Sequence, residues 1–560
     1  MKKLLLPFVI LAVLLGATDT WAKPAKPVVV TSFAGYDALM NDVKFLGKLS
    51  DTPELAITVD FVVKMATKGK GLAGLDTARP WGGAILPKKD GNYEGYGFLP
   101  VKDLKKLVEV VKPLVQSVEE LDNGAFKLTT EDGEVAYIRE KGGWAFIAAG
   151  VEVLGNVPAD PLTILGGLEK EYDLAVRFNL GNVPTAMRDE FLAGIKTGIE
   201  EGLREQPELK ESKALKKAVE GFSKHTFEFF KVLIDELDHV TLGWSLDQKM
   251  EKIVMDAVIV AKKETELARS VDALEKATSD FGGFLVPGAA MTARISGTAP
   301  KSKIAAVEGL VDIFRVAALQ AAAEETDGET EKKILQKLLN DFSDVIEKTV
   351  QSAKIDGAVS LLLEKKSLTM IAGGYVADGY ALEKLMKDMI EIAKEEGEED
   401  VDLIKLDADK LKGVRFHTVS VPLDEEDDED LKKLFGKTLD VAVGFGKQSV
   451  YLAAGRNALD SLKRAIRESA LQTSEVVPPL RASISVASIC EFVARVGETE
   501  EERWEAAKVA ELLADSPGKD HVTLTARPIS NGVHYRLEVE PGLLRMFGRM
   551  VAEAKEEEEQ

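Results

Sequence analysis

Histidine can act as a general acid or base or as a metal ligand. The sequence contains five histidines: His225, His239, His417, His521 and His534. No two lie four positions apart, the spacing that places both imidazoles on one helix face as zinc ligands. His239 and His521 occupy the same place in a repeated pentapeptide, Asp-His-Val-Thr-Leu. A neutral imidazole can act as a general base near pH 7 or hydrogen-bond a neighbouring loop. Both histidines are candidate functional positions, and their recurrence on predicted strands favours the structural role.

A second candidate is the segment 74–83, which reads Gly-Leu-Asp-Thr-Ala-Arg-Pro-Trp-Gly-Gly and leads into the first predicted hairpin. Its first glycine can cap the preceding helix, its proline favours an extended entry to the strand, and Trp81 can anchor on apolar surface. Asp76 and Arg79 could pair across the turn. The corresponding place in the second half reads only Lys-Ile-Asp-Gly, at 354–357. The segment could therefore bind a ligand in one half alone, although a structural corner is favoured.

The sequence offers no strong catalytic signature. It contains no Gly-x-Ser-x-Gly elbow and no Walker sequence. Its 94 acidic residues single out no pair for glycoside hydrolysis, and an aromatic content of 6% gives little sign of a sugar-stacking surface. Cys490 is the only cysteine and lies in an apolar run, which favours a buried structural thiol. We therefore predict no catalytic residue, no cofactor and no metal ligand, and an enzymatic role is left open.

Two acidic runs, at 395–402 and 424–430, have no counterpart in the first half. Ca²⁺ binding is one reading of them. The second run lacks the alternating ligands and the turn glycine of an EF-hand loop. Because runs of like charge repel and extend, solvated loops are favoured.

The overall charge restricts the class of partner. A formal net charge of −22 disfavours nucleic acid, whose binding depends on Lys and Arg, and equally disfavours anionic lipid headgroups. We expect an unknown ligand or an envelope protein as partner, with no nucleic acid and no stable membrane insertion. The oligomeric state is not predicted.

The first residues predict export. Met-Lys-Lys is a short basic region, residues 4–15 are apolar apart from Pro7, and Thr20-Trp21-Ala22 ends in the pattern of a signal-peptidase site. The apolar run is shorter than the roughly 20 residues that span a membrane. We predict a signal peptide at 1–22 and a periplasmic or extracellular mature chain that begins near Lys23.

The elements that carry these residues are predicted to occur twice. The pentapeptide at 238–242 recurs at 520–524, and Phe-Ile-Ala-Ala-Gly at 146–150 corresponds to Tyr-Leu-Ala-Ala-Gly at 451–455. Strands, hairpins and amphipathic helices follow in the same order around both pairs. We predict a tandem duplication with halves at 23–285 and 286–560. The hairpins alternate with helices, which predicts an α+β fold of antiparallel sheets flanked by amphipathic helices.

The segment 74–82, the Gly-Phe-Leu-Pro-Val sequence at 97–101 and Asp-His-Val-Thr-Leu-Gly at 238–243 resemble secreted planctomycete-type bacterial proteins of unknown function. The resemblance covers most of the mature chain and rests on short motifs. It implies export and a repeated α+β organisation. It supplies no activity, cofactor or catalytic residue.

Three functional hypotheses remain, and each predicts a different structural feature. The leading one is a non-enzymatic binding or structural protein that holds a hydrophobic ligand between its halves, in an apolar cavity. A protein-interaction module would expose a contiguous apolar patch instead. A hydrolase of unrecognised type would show a polar pocket with convergent carboxylates or histidines.

Overall fold

The computed structural model describes residues 26–50, 52–88, 91–204, 212–325, 328–364, 367–397, 399–423, 429–472 and 475–559. The protein is 46% helix and 31% strand, with a large antiparallel sheet, which confirms the predicted α+β class. The predicted signal peptide lies outside the described residues, as do residues 424–428 of the second acidic run.

The strands come mostly as hairpins, as the alternating patterns predict. The first ten are β1 (Val29–Phe33), β2 (Trp81–Pro87), β3 (Tyr93–Pro100), β4 (Ser117–Glu120), β5 (Phe126–Thr129), β6 (Val135–Lys141), β7 (Trp144–Ala148), β8 (Leu174–Phe178), β9 (Leu237–Asp247) and β10 (Lys252–Ala261). The next ten are β11 (Met291–Thr298), β12 (Lys354–Glu364), β13 (Ser367–Tyr375), β14 (Ile404–Leu411), β15 (Val414–Pro422), β16 (Thr438–Gly446), β17 (Ser449–Gly455), β18 (Leu480–Ser485), β19 (His521–Ile529) and β20 (Gly532–Val539).

Helices separate the strands. In chain order they are α1 (Tyr36–Leu49), α2 (Leu55–Ala66), α3 (Leu104–Val111), α4 (Leu162–Leu165), α5 (Leu168–Glu171), α6 (Thr185–Arg204), α7 (Lys213–Glu236) and α8 (Glu266–Asp272). They continue with α9 (Lys301–Glu325), α10 (Glu329–Gln351), α11 (Gly379–Glu395), α12 (Glu429–Phe435), α13 (Ala458–Ser469), α14 (Val486–Val496), α15 (Glu500–Ala514) and α16 (Pro541–Glu559). None of the described helices combines the length and the apolar character that crossing a membrane requires.

An aspartate side chain caps the N-terminus of α3 and of α11. The Asp103 carboxylate accepts the backbone N–H of Lys106 at 3.1 Å at the start of α3, and Asp378 accepts that of Ala381 at 3.0 Å at the start of α11. Each cap satisfies an N–H group that has no partner inside its helix.

The chain folds into two units. Unit 1 takes the residues up to 190, residues 237–260 and the residues from 536 onward, and unit 2 takes 191–236 and 261–535. The predicted boundary between residues 285 and 286 therefore falls within the sequence of unit 2. The chain passes from unit 2 to unit 1 inside β20.

The antiparallel strands of the two units share one order. In unit 1 the neighbours run β4, β5, β6, β7, β3, β2, β1, β8, β9. In unit 2 they run β14, β15, β16, β17, β13, β12, β11, β18, β19. Strands ten positions apart in chain order are therefore topologically equivalent. The tandem duplication itself stays a prediction, because equal strand order describes topology and not descent.

Apolar clusters cover the sheets. In unit 1 one cluster includes Val30, Tyr96, Phe98, Phe146 and Leu165, and another packs α3 against β5 and β6. In unit 2 the main cluster packs α13 against the sheet and includes Phe281, Phe284, Phe416, Tyr451 and Leu462. Burying such side chains stabilises each by roughly 1.5–3 kcal/mol, so these clusters supply most of the folding free energy.

The close approach of β1 and β2 gives a test of this packing. A Cβ at Gly82 would overlap the carbonyl oxygen of Thr31 and lie 2.8 Å from Leu165 Cδ2. Gly82→Ala should therefore lower the free energy of unfolding by about 2 kcal/mol, the usual cost of overpacking. Gly97→Ala is the matched control, because the nearest atom to its Cβ would be Gly82 O at 3.8 Å. Urea denaturation of both variants measures the difference, and equal stabilities would contradict this packing.

Candidate functional site

The Trp81 corner, residues 74–83, makes structural contacts within unit 1. The Arg79 guanidinium carbon lies 4.0 Å from the ring centroid of Trp144, and Nη1 of Arg79 donates to Gly143 O at 3.3 Å. Asp76 instead pairs with Lys102 at 3.3 Å. The predicted ion pair between Asp76 and Arg79 is therefore wrong: their contact is a backbone hydrogen bond, Arg79 N to Asp76 O, at 3.3 Å.

The rest of the corner anchors β2. Trp81 packs edge-on against Phe33 with ring centroids 4.8 Å apart, as expected of an apolar anchor. Its buried indole Nε1 makes no hydrogen bond within the described structure. Gly74 lies eight residues beyond the end of α2 and does not cap it; its carbonyl accepts Lys102 N at 2.9 Å at the start of α3. The glycines at 69, 71 and 74 have the Gly-x-Gly-x-x-Gly spacing of a dinucleotide-binding turn. They follow a helix and not a strand, so they do not form such a turn.

The two candidate histidines lie on strands, as predicted, but in different units. His239 Nδ1 lies 2.8 Å from Oδ2 of the exposed Asp238 carboxylate. His521 Nδ1 lies 3.6 Å from Oδ1 of the buried Asp520. Asp520 also accepts the Ser485 hydroxyl at 2.6 Å and the Ala487 N–H at 2.9 Å, so it caps α14. Each histidine thus pairs with its own sequence neighbour, an arrangement that fits the structural role.

Unit 2 contains an ionic cluster that the sequence reasoning missed, formed by Glu383, Lys387, Asp407, Arg415 and His417. Glu383 and Lys387 lie one turn apart on α11, so both face the same way. Arg415 and His417 lie two residues apart on β15, so their side chains are on the same face of the sheet. Asp407 lies on β14 with a φ of 50°, where the pairing of β14 with β15 is irregular.

The contacts in the ionic cluster centre on Glu383, which is buried. Lys387 Nζ lies 2.9 Å from Glu383 Oε1 and 2.9 Å from Asp407 Oδ2, and Arg415 pairs with Glu383 Oε2. His417 Nδ1 accepts the backbone N–H of Asp407 at 3.1 Å, so its Nε2–H is left to donate to Glu383 Oε1 at 3.2 Å. Burial, with the nearby Lys387 charge, lowers the pKa of His417, which favours the neutral ring.

The same groups meet a first condition for a metal site, because Glu383, Asp407 and His417 each bring a ligand atom within 4.8 Å of the others. The Lys387 ammonium already bridges the two carboxylates. Burial alone would lower the pKa of Lys387, but hydrogen bonds to Glu383 and Asp407 outweigh it and raise that pKa. A hydrogen bond from Lys387 lowers the pKa of Asp407. The cation that this arrangement holds is therefore the ammonium, and the cluster is a salt-bridge network.

Two central members of the ionic cluster have apolar equivalents in unit 1. Through the registers β5–β6–β7 and β15–β16–β17, His417 is equivalent to Phe126. Counting from the capping aspartates of α3 and α11, Glu383 is equivalent to Val108. Both equivalents belong to the apolar cluster on α3. Unit 2 therefore holds a charged network where unit 1 holds core.

Unit 1 has a buried carboxyl group of its own. Asp42 Oδ1 accepts the Gln248 amide at 2.8 Å, and its Oδ2 is buried without a hydrogen-bond partner in the described structure. Burial, helped by the charge of Asp173, raises the pKa of Asp42 to about 6. Asp173 itself accepts the Leu246 N–H at 2.8 Å. A raised pKa beside a second carboxylate is the pattern of an acid–base pair, but Asp42 is closed off from solvent, at 5% exposed.

A cleft of about 220 Å³ lies on unit 2 between β15, β16 and the start of α13. Its polar lining includes Thr418, Ser420, Asp440, Asn457 and Asp460. The Ser420 hydroxyl donates to Asp440 Oδ1 at 2.7 Å. None of the five histidines lines this cleft, so it does not assemble the acid–base groups of the hydrolase hypothesis.

The ionic cluster predicts unequal roles for two lysines of α11. Lys387→Met should lower the free energy of unfolding by about 2–3 kcal/mol, because it takes one of the paired cations from Glu383, which is buried. Lys384→Met is the control: Lys384 pairs with Asp388 at 2.9 Å on the exposed side of the helix, where solvent screens the pair, so this variant should lose much less stability. Chemical denaturation compares them, and equal losses would show that the network does not stabilise unit 2.

Asp42 predicts a pH dependence. Its folded pKa of about 6 exceeds the ordinary 3.8, so the folded state binds this proton more tightly than the unfolded state. The resulting stability is fully present below about pH 3.8 and lost as pH rises through 6, a change of about 3 kcal/mol. Asp42→Asn removes this titration, so wild type should lose stability relative to the variant between pH 4 and 7. Parallel pH profiles of unfolding free energy would refute this assignment.

Comparison with known proteins adds no relative: no family, no curated protein and no solved structure matches the chain.

Proposed function

We propose that the protein is an exported, non-enzymatic binding protein that associates through apolar helix surfaces. The observation that carries this proposal is the exposure of large apolar side chains on helices of one connection in each unit. These helices, α1 with α2 in unit 1 and α9 with α10 in unit 2, both link the first two strands of their sheets.

The α2 face is the most exposed of these surfaces. Ile57, Phe61 and Met65 follow one another at four-residue spacing and are 72%, 59% and 62% exposed, with Val62 beside them. Only Ala56 of this helix is buried. Single exposed apolar residues are ordinary, but a continuous stripe along a helix marks an interaction surface.

Unit 2 repeats the feature on α9 and α10. Phe314 on α9 contacts Phe342 on α10, with ring centroids 6.3 Å apart, and both rings are exposed. Leu310, one turn before Phe314, is exposed as well. These contacts make the apolar surface of unit 2 continuous from one helix to the next.

The occupant proposed for the α2 face is a second copy of the chain. In an antiparallel pair of α2 helices centred between residues 61 and 62, Ile57 of each copy lies within one residue, along the helix axis, of Met65 of the other. Asp60 then faces Lys64 across the interface, and the symmetry forms that ion pair twice. Within one copy Lys64 Nζ lies 2.6 Å from Asp60 Oδ2 at an exposed site, so both side chains can turn to the partner. The stripe and its charges are therefore self-complementary.

Native mass spectrometry of the exported chain tests this proposal. We expect a dimer of chains that begin near Lys23, and Phe61→Glu should reduce it to monomer. Leu471→Glu is the matched control, because Leu471 is also exposed but lies in unit 2. Dimer lost equally in both variants, or a wild-type monomer at micromolar concentration, would overturn the α2 interface.

Charge exchange gives the sharper version of the experiment. Asp60→Lys and Lys64→Asp should each weaken the dimer, since each places like charges across the interface twice. Mixing the two variants should restore dimer, with the heterodimer mass dominant. Statistical mixing of masses would contradict the antiparallel pairing. A co-purifying small molecule on a monomeric chain would favour instead the hydrophobic ligand between the halves, which stays a prediction.

A further inference from the structure

Arg294, on β11 of unit 2, is a buried cation that makes no ion pair or hydrogen bond within the described structure. The residue is 7% exposed, and its Nε is buried without a hydrogen-bond partner. Within the described structure no ion pair or hydrogen bond reaches its guanidinium. Burial, with the charge of Arg481, lowers the pKa of Arg294, and the charge of Asp356 offsets this only in part. A buried charge is costly unless it is paired, so this arrangement calls for a partner.

A second arginine lies directly across the sheet. Arg294 on β11 is in register with Arg481 on β18, and the two strands are antiparallel. Residues directly opposite each other on neighbouring strands point to the same face, with Cβ atoms about 5 Å apart. Like charges in this position repel, and Arg481 is itself exposed and has no ion pair among the described residues. Two guanidinium groups therefore face one place.

A hydroxyl group completes the set. Ser296 lies two residues after Arg294, so strand alternation puts both side chains on one face. Its Oγ is buried and, among the described residues, makes no hydrogen bond. The carboxylate in register with Ser296 is Asp356, which already accepts the Ser279 hydroxyl at 2.6 Å and the Asp280 N–H at 2.8 Å. Its charge attracts Arg294, but no hydrogen bond or ion pair joins the Asp356 carboxylate to the Arg294 guanidinium.

We propose that Arg294, Arg481 and Ser296 bind an oxyanion, the phosphate or carboxylate group of a small ligand. Guanidinium groups match both groups in shape, since two parallel N–H donors can reach two oxygens. An oxyanion between the arginines neutralises the buried charge, removes the cross-strand repulsion and gives the Ser296 hydroxyl an acceptor. One ligand therefore accounts for the unpaired Arg294 charge, the repulsion between the arginines and the unpaired Ser296 hydroxyl.

The site belongs to unit 2 alone. The repeated Asp-His-Val-Thr-Leu sequence aligns β9 with β19. Through the pairing of β8 with β9 and of β18 with β19, Arg481 is then equivalent to Ala175. Ser32 is in register with Ala175 and is equivalent to Arg294. Unit 1 thus has no cation at either place, which separates a ligand site from a requirement of the fold.

Isothermal titration calorimetry with inorganic phosphate, and separately with acetate, tests the site at constant ionic strength. Wild type should bind one of the two anions with one site per chain, and the stronger binder identifies the oxyanion. Arg481→Gln should weaken binding at least tenfold; because Arg481 is exposed, this variant should fold normally. Arg294→Met should abolish binding. No heat with either anion, or unchanged binding in Arg481→Gln, would overturn the site.

Thermal unfolding in chloride distinguishes a ligand site from a structural arginine. Arg294→Met should raise the Tm, because it removes a buried charge that has no partner when the site is empty. Arg177→Met is the control: Arg177 Nε donates to Thr241 Oγ1 at 2.9 Å, so this variant should lower the Tm and leave anion binding unchanged. A Tm that falls in Arg294→Met as it does in Arg177→Met would contradict the proposal.

Discussion

Covering the faces of wide antiparallel sheets is the constraint on which the rest of this structure depends. Each strand turns alternate side chains to opposite faces, so the apolar face of each sheet needs packing partners. Unit 1 meets the requirement beside α3 with apolar side chains such as Phe126. Unit 2 meets it at the equivalent place with Glu383 and His417, whose charge and polarity require the surrounding cations. The same strand order is therefore compatible with apolar packing in unit 1 and with a charged network in unit 2.

That difference explains why the functional candidates separate by unit. The ionic cluster and the arginine pair both lie in unit 2, and unit 1 carries apolar or small residues at the places of Glu383, His417 and the two arginines. The ionic cluster pairs its charges within itself and so acts in stability. The arginine pair has no ion pair among the described residues, and this is the observation behind the proposed ligand. The exposed helices of both units point to association with another chain.

The sequence predicted the local elements well and the long-range contacts poorly. The strands that carry His239 and His521 follow from alternation and from the repeated pentapeptide. The ion pair of Asp76 with Arg79 failed because Trp144, on a distant strand, offers the guanidinium a ring face. Glu383 and His417 lie 34 residues apart, and nothing in their spacing indicates that they meet. Register between strands, which sequence patterns leave open, decides such contacts.

Association through α2 is the central claim about function, and sedimentation equilibrium of the chain from Lys23 onward tests it most directly. The method reads the mass in solution over a range of concentrations without any assumption about ligand or partner. The account predicts a reversible monomer–dimer equilibrium that shifts to monomer in Phe61→Glu. A single monomeric species at every concentration, identical in wild type and variant, would contradict it.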